Sequence, residues 1–371
     1  MRSTRFYAML NEICEEPSLV QKLVNNRETI TKPFVDLFCT NPIKRIYFTG
    51  SGSPLYVSNT LKYAAIKLLG VEATATPAML FNHHDRFNTD VYKPNEMLLI
   101  CPAESGMGHG QVDAARQAKK LGIPVVCTTW NLKGILGQES DIVLAKISPR
   151  EEALATTKGQ VMALLLVLMC FVDAAKALGH LNNEEHQAYL NALDHVPQNI
   201  QSAIDNTLAW FDKYQDVVMA SPVYRIVGYG ANVGTAEETA LKFLECHKRP
   251  SLFYELEECL HGPIRSVRKD DVLFLLCAED GAEKERMLKL YKIMKEYTDY
   301  CFLVQSDRDP VQDPKGISFK TDNVPFVNTM EYLVPMQVLA FKISESLGID
   351  VSVSTTMAIK KNMITSYSMG E

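Results

Sequence analysis

Two stretches of this chain follow one local pattern. Arg45-Ile46-Tyr47-Phe48-Thr49-Gly50 in the first half and Arg225-Ile226-Val227-Gly228-Tyr229-Gly230 in the second are each an apolar run closed by glycine and followed by a helical pattern. A short β-branched and aromatic run bounded by glycine reads as a buried strand. Behind the first come a helix through Leu69, strand patterns at 97–101, 125–128 and 142–144, and a helix over 111–121. Behind the second come a helix over 235–246, strands at 272–277 and 302–304, and a helix over 283–297. Alternating strand and helix calls for a parallel sheet covered on both faces. Its recurrence calls for two copies of one doubly wound α/β unit.

A chain of 371 residues suits two such cores. The expected layout is an N-terminal helical arm over 1–40 with breaks at Pro17 and Pro33, a first α/β domain over 41–181, a polar helical connector over 182–214, a second domain over 215–350 and a tail over 351–371. With 47% apolar and 22% charged residues the chain has ample core material, which excludes a disordered protein. A net charge of -6 leaves no basic field for nucleic acid, so an anionic ligand must be held by local donors.

Nine cysteines without C-x-x-C spacing point to packed thiols in a reducing compartment. The N-terminus lacks the apolar core of a signal peptide, and a cytoplasmic protein is expected. The apolar run 161–178 carries Asp173 and Lys176 and falls short of the roughly 20 residues that span a bilayer, so it reads as a buried helix rather than a membrane partner. His83-His84-Asp85 lacks a third histidine at ligand spacing and reads as a solvated loop; no metal and no cofactor are expected.

Open parallel sheets bind ligands beyond the carboxyl ends of their strands. Gly50-Ser51-Gly52-Ser53-Pro54 lies at such an end, where backbone amides, serine hydroxyls and the positive end of a helix could cradle an anion; a plain tight turn accounts for it equally well. Glu104-Ser105-Gly106-Met107-Gly108-His109-Gly110 is a second glycine-rich loop between strand and helix. Ala155-Thr156-Thr157-Lys158-Gly159 places hydroxyls at the start of the long helix, where ordinary N-capping competes with sugar contact.

The chemistry-bearing pair is Glu245, on a helical stretch Ala240-Leu241-Lys242-Phe243-Leu244-Glu245, and His261, further along in Glu258-Cys259-Leu260-His261-Gly262-Pro263. A carboxylate on a rigid helix and an imidazole on a turn are acid/base equipment. Separately, Glu245 reads as a surface partner of Lys242 and His261 as a loop histidine; Cys259 reads as a packed thiol.

Together these segments resemble the sugar isomerase (SIS) family, over about residues 30–360. The stretch from Ala240 to Glu245 with Glu258 to Pro263 is similar to the isomerase half of glucosamine-6-phosphate synthases, whose glutamate and histidine stand at the same separation as Glu245 and His261. The resemblance implies two tandem SIS domains, a phosphosugar or sugar-amine adduct as ligand, Glu245 as proton shuttle, His261 as ring-opening acid/base, and a homodimer whose histidine crosses the subunit interface. It also implies phosphate or sugar contacts at Ser51, Gly52, Ser53, Ser105, Gly106, Gly108, Thr156 and Thr157, with Lys242, Glu258 and the tail residue Lys360 near the substrate. Gly52-Ser53-Pro54-Leu55 and the lack of an N-terminal glutaminase domain look more like deglycases of 6-phosphorylated fructosamines. Where synthases read Ser-Gln-Ser-Gly-Glu-Thr, this chain reads Ala103-Glu104-Ser105-Gly106-Met107-Gly108, losing two hydroxyls and gaining a carboxylate, so Glu104 could instead face a substrate amine. Isomerase, aminosugar-phosphate deaminase and non-catalytic sensor remain as alternatives, though the N-terminal arm carries no basic recognition helix. Burial is expected to raise the pKa of Glu245 against the opposing effect of Lys242.

Overall fold

In the computed structural model, which describes residues 4–308, 310–354, 356 and 362–368, a short 3-10 turn leads into α1 (Ala8–Asn25) and α2 (Arg27–Thr40). Then follow β1 (Arg45–Gly50), α3 (Ser53–Leu69), β2 (Glu72–Pro77), α4 (Ala78–His84), β3 (Met97–Pro102), α5 (His109–Leu121), β4 (Val125–Thr129), α6 (Ile135–Glu139), β5 (Ile142–Ala145), α7 (Lys158–Ala177) and α8 (Asn183–Ala220). The second series is β6 (Tyr224–Gly228), α9 (Asn232–His247), β7 (Ser251–Glu255), α10 (Leu256–Leu260), β8 (Val272–Cys277), α11 (Ala282–Tyr297), β9 (Cys301–Ser306), β10 (Ile317–Phe319) and α12 (Asn328–Ser346). Among the described residues these strands form two five-stranded sheets in which every pair is parallel, ordered β2-β1-β3-β4-β5 and β7-β6-β8-β9-β10. The two orders are the same, and each reverses direction beside its first strand, the place where open α/β sheets leave a crevice.

Two compact units contain these sheets. One holds residues 22–150 and 158–190 with the described residues from 354 onward; the other holds the described residues up to 21 together with 151–157 and 191–353. Central strands are apolar on both faces, as helices on both sides require: β3 and β8 are buried at every position. The edge strands β2, β7 and β10 are short or half polar, β7 with only Leu252-Phe253-Tyr254 between Ser251 and Glu255, and the sequence pattern did not disclose them. Helix α7, the apolar run that could be mistaken for a membrane span, is buried from Lys158 through Val172. At roughly 1.5–3 kcal/mol per buried large aliphatic or aromatic side chain, it is a main contributor to its unit's core.

Three sequence expectations are corrected. Pro17 and Pro33 lie inside α1 and α2, and the chain breaks at Asn26 instead. An internal proline costs about 3 kcal/mol or more, and here it is offset by the buried faces of the two helices, Ile13, Leu19, Val20 and Leu23 on α1, Phe34 and Phe38 on α2. The second glycine-bounded strand stops at Gly228, because Asn232 N–H closes a turn onto the Tyr229 carbonyl at 3.1 Å. His83 and His84, expected in a loop, end helix α4, exposed to solvent.

Candidate functional site

At the carboxyl end of the first sheet, β1 runs into Ser51 and Gly52, both exposed, and α3 begins at a buried Ser53. Gly52 caps the helix with φ 66°, a conformation that favours glycine, and its carbonyl receives Leu55 N–H at 2.8 Å. The β3–α5 loop stands beside it in sheet order. Its backbone is fixed by the next strand and the turn behind it: Thr129 Oγ1 donates to the Glu104 carbonyl at 2.7 Å, Asn131 Nδ2 to the Ser105 carbonyl at 3.1 Å, and Leu136 N–H to the Gly106 carbonyl at 2.9 Å. Gly106 turns the loop at φ 65° and Gly108 caps α5. Both helices thus direct their N-terminal ends, with their partial positive charge, to this rim.

Two features of the rim were not read from the sequence. Lys146, the residue after β5, is buried, and its ammonium is ion-paired with the Glu104 carboxylate; the side chains are 1% and 27% exposed. A lysine directly behind the apolar run Ile142-Val143-Leu144-Ala145 was the available signal. The tail also returns to this loop. Gly108 pairs with Ser366 in an antiparallel bridge, His109 N–H donates to the Thr365 carbonyl at 3.2 Å, and Tyr367 O–H donates to Asp113 at 2.7 Å. One of the α5 amides expected to face an anion therefore already has a partner. Lys360 lies outside the described residues.

In the other unit, α9 carries Glu238, Lys242 and Glu245 along one face at i, i+4 and i+7. Lys242 Nζ lies 3.3 Å from Glu238 Oε1 and is hydrogen-bonded to Glu245. Burial alone would push this ammonium's pKa down, but the two carboxylates, Glu238 and Glu245, hold it well above the ordinary lysine value. Lys242 is therefore a fixed cation. Glu245 itself is not buried, with its side chain 39% exposed, which corrects the expectation of a desolvated carboxyl. Glu238 was not singled out from the sequence, although it stands one turn before Lys242.

His261 caps the end of α10 and is exposed. Among the described residues no hydrogen bond or ion pair joins it to Glu245. Glu258, on the exposed side of α10, has its N–H bonded to the Glu255 carboxylate at 2.9 Å. Cys259 is buried, and burial pushes its thiol up to about 11, far from a reactive thiolate. Thr157 donates its hydroxyl to Glu151 at 2.9 Å and its carbonyl receives Gln337 Nε2 at 3.2 Å, while Thr156 is half-buried beside it. The structure thus gathers Ser51, Gly52, Ser53, Glu104, Ser105, Gly106 and Gly108 at one sheet's rim, and Lys242 with Glu245 on one helix face.

No family model matches the chain. It is 23% identical over 372 aligned residues to the glutamine–fructose-6-phosphate aminotransferase (isomerizing) of Clostridium perfringens strain 13, covering 94% of this chain and 58% of that protein. The chain therefore spans less than two thirds of the length of this curated relative. A candidate phosphosugar isomerase from Clostridium difficile 630 superposes with a TM-score of 0.84 at 19% identity, covering 97% of this chain and 99% of that one. The C-terminal domain of glucosamine-fructose-6-phosphate aminotransferase from Francisella tularensis superposes with a TM-score of 0.82 at 19% identity, covering 92% and 97%. Taken with the paired sheets of identical strand order, these likenesses show that the chain has the fold of a tandem of two sugar isomerase (SIS) domains.

Proposed function

We propose that this protein is a deglycase that cleaves a 6-phosphorylated fructosamine into an aldose 6-phosphate and a free amine. The observation that carries the reading is the Glu238-Lys242-Glu245 string: a buried cation grips a solvent-facing carboxylate and fixes its position for proton transfer. In the open-chain ketosamine, Glu245 takes a proton from C1, giving an enaminol, and returns it to C2. The resulting C1 imine adds water and releases the amine. His261 moves the proton that opens the sugar ring, as an imidazole can near neutral pH. Ser51, Ser53, Ser105 and the amides of the β3–α5 loop hold the phosphate, with Thr156 and Glu258 contributing sugar contacts and Lys360 a further contact with the substrate.

His261 serves a second copy of the chain in this reading, which accounts for its exposure and for the lack of a described bond to Glu245 in its own chain. The protein is then a homodimer with shared sites. Glu245→Gln and His261→Ala homodimers are each expected to be inactive and to recover activity when mixed and reassembled.

The test uses purified protein with 6-phosphofructosyl-lysine, fructose 6-phosphate and glucosamine 6-phosphate, following glucose 6-phosphate and free amine. General acid/base catalysis is worth roughly 100- to 10,000-fold, so Glu245→Gln is expected to bind ligand and to lose at least about 100-fold in kcat. Near-normal turnover by this variant refutes the role. An aldose–ketose isomerase is the second reading, favoured by the phosphosugar isomerase description of the C. difficile relative; conversion of fructose 6-phosphate without release of amine identifies it.

A further inference from the structure

The carboxylate of Glu104 stands next to Ser105 in the loop proposed to cradle phosphate, where an ionised acid would oppose a dianion. The structure shows how that conflict is met. Glu104 leaves the loop after β3, and its carboxylate is ion-paired with Lys146, which follows β5, two strands away in the sheet order. β4 lies between, and its last residue, Thr129, fixes both ends of this link: its hydroxyl holds the Glu104 carbonyl at 2.7 Å and its carbonyl accepts Lys146 N–H at 3.0 Å. Lys146 is 1% exposed, so the ammonium is out of reach of a ligand, whereas Glu104 keeps 27% of its surface open.

The chain contains its own comparison. The second sheet has the same Ala-Glu-x-Gly loop after its third strand in sequence, Ala278-Glu279-Asp280-Gly281. There the residue after the fifth strand is also a lysine, Lys320, but it is exposed. Glu279 Oε1 is buried with no hydrogen-bond partner among the described residues, and burial pushes the carboxyl's pKa up. One fold position therefore carries an acid compensated by a buried lysine in the first sheet and one without that lysine in the second.

We propose that Lys146 is a positioning residue for recognition of a sugar phosphate: it cancels the Glu104 charge and ties the carboxylate toward β5, so that the β3–α5 loop accepts a dianionic group and leaves Glu104 as an acceptor for a sugar hydroxyl. This rests on the phosphate-cradle assignment of that loop but not on the deglycase chemistry. The experiment is calorimetric titration of the full chain with glucose 6-phosphate and with glucose, for wild type, Lys146→Met, Glu104→Gln and the double variant, alongside amine release from the fructosamine substrate. A carboxylate left uncompensated near a dianion at the high effective dielectric of a surface is expected to weaken glucose 6-phosphate binding roughly 10- to 100-fold. Lys146→Met should show that loss, glucose affinity should change little, and the double variant should regain phosphate binding because the offending charge is gone.

Unchanged phosphate affinity in Lys146→Met, no recovery in the double variant, or no preference of wild type for glucose 6-phosphate over glucose overturns the proposal. A folded double variant that recovers binding excludes misfolding as the cause of the single variant's loss. Amine release without the binding pattern refutes this inference and leaves the deglycase reading standing; the binding pattern without amine release does the reverse.

Discussion

Replacing Lys242 with methionine tests stability and chemistry at one position. Lys242 and Glu238 have side chains 2% and 0% exposed, whereas Glu245 is 39% exposed. Methionine keeps the aliphatic stem in place but leaves the Glu238 carboxylate in the interior without its cation, a situation that costs about 3–5 kcal/mol. The lost contact with Glu245 adds little, at most about 1 kcal/mol, because that carboxylate is solvated. Lys242→Met is therefore expected to destabilise its unit by roughly 3–5 kcal/mol. The double variant Glu238→Gln/Lys242→Met removes both buried charges of the string and is expected to regain all but about 1–2 kcal/mol. It should not regain turnover, since Glu245 is no longer held. Urea unfolding followed by Trp210, which packs against Phe274 and Phe302 in the same unit, reads the first quantity in a Trp130→Phe background. Amine release reads the second. A loss below about 1 kcal/mol in Lys242→Met, or a double variant no more stable than the single, refutes the argument that the string is a buried charge network.

Glu331, buried on α12 between Asn199 and Thr321, has its pKa raised from 4.5 to about 7, chiefly by burial. A folded value above the unfolded one costs nothing below pH 4.5 and removes stability as pH rises through 7; at about 1.4 kcal/mol per pKa unit the ceiling is roughly 3 kcal/mol. Glu331→Gln should accordingly gain stability relative to wild type between pH 5 and 8, and a difference that is flat over this range, in urea melts, contradicts the assignment. Gly106→Ala forces a side chain into φ 65° with its Cβ 3.4 Å from Thr129 Oγ1; a loss of about 1–2 kcal/mol and weaker glucose 6-phosphate binding are expected, checked by the same melts and by calorimetry.

What could be read from residues alone was what depends on local periodicity. The central strands, buried on both faces, announce themselves as unbroken apolar runs such as Met97 to Cys101 and Val272 to Cys277, and glycines such as Gly52 and Gly106 mark the turns that leave them. Of the edge strands, β5 was read from Ile142-Val143-Leu144, whereas β2, β7 and β10 escaped because they are short or interrupted by polar residues. Glu245 and His261 could be proposed from the sequence because both lie within one short helix–strand–turn segment. Lys146 was not: its meaning depends on Glu104, which leaves the sheet two strands earlier, and on β4 lying between them.

Sequence by itself determined that this chain builds two parallel α/β sheets with glycine-rich loops at their carboxyl ends, since hydrophobic periodicity and turn residues act over a few neighbours. Tertiary structure alone decided which charges those loops meet. It paired Glu104 with Lys146, left Glu279 Oε1 buried with no hydrogen-bond partner among the described residues, sank Lys242 between two carboxylates and laid residues 365–367 across the start of α5. The physical reason is that the strength of a charge depends on its distance from other charges and from water, and both are set only when distant segments pack.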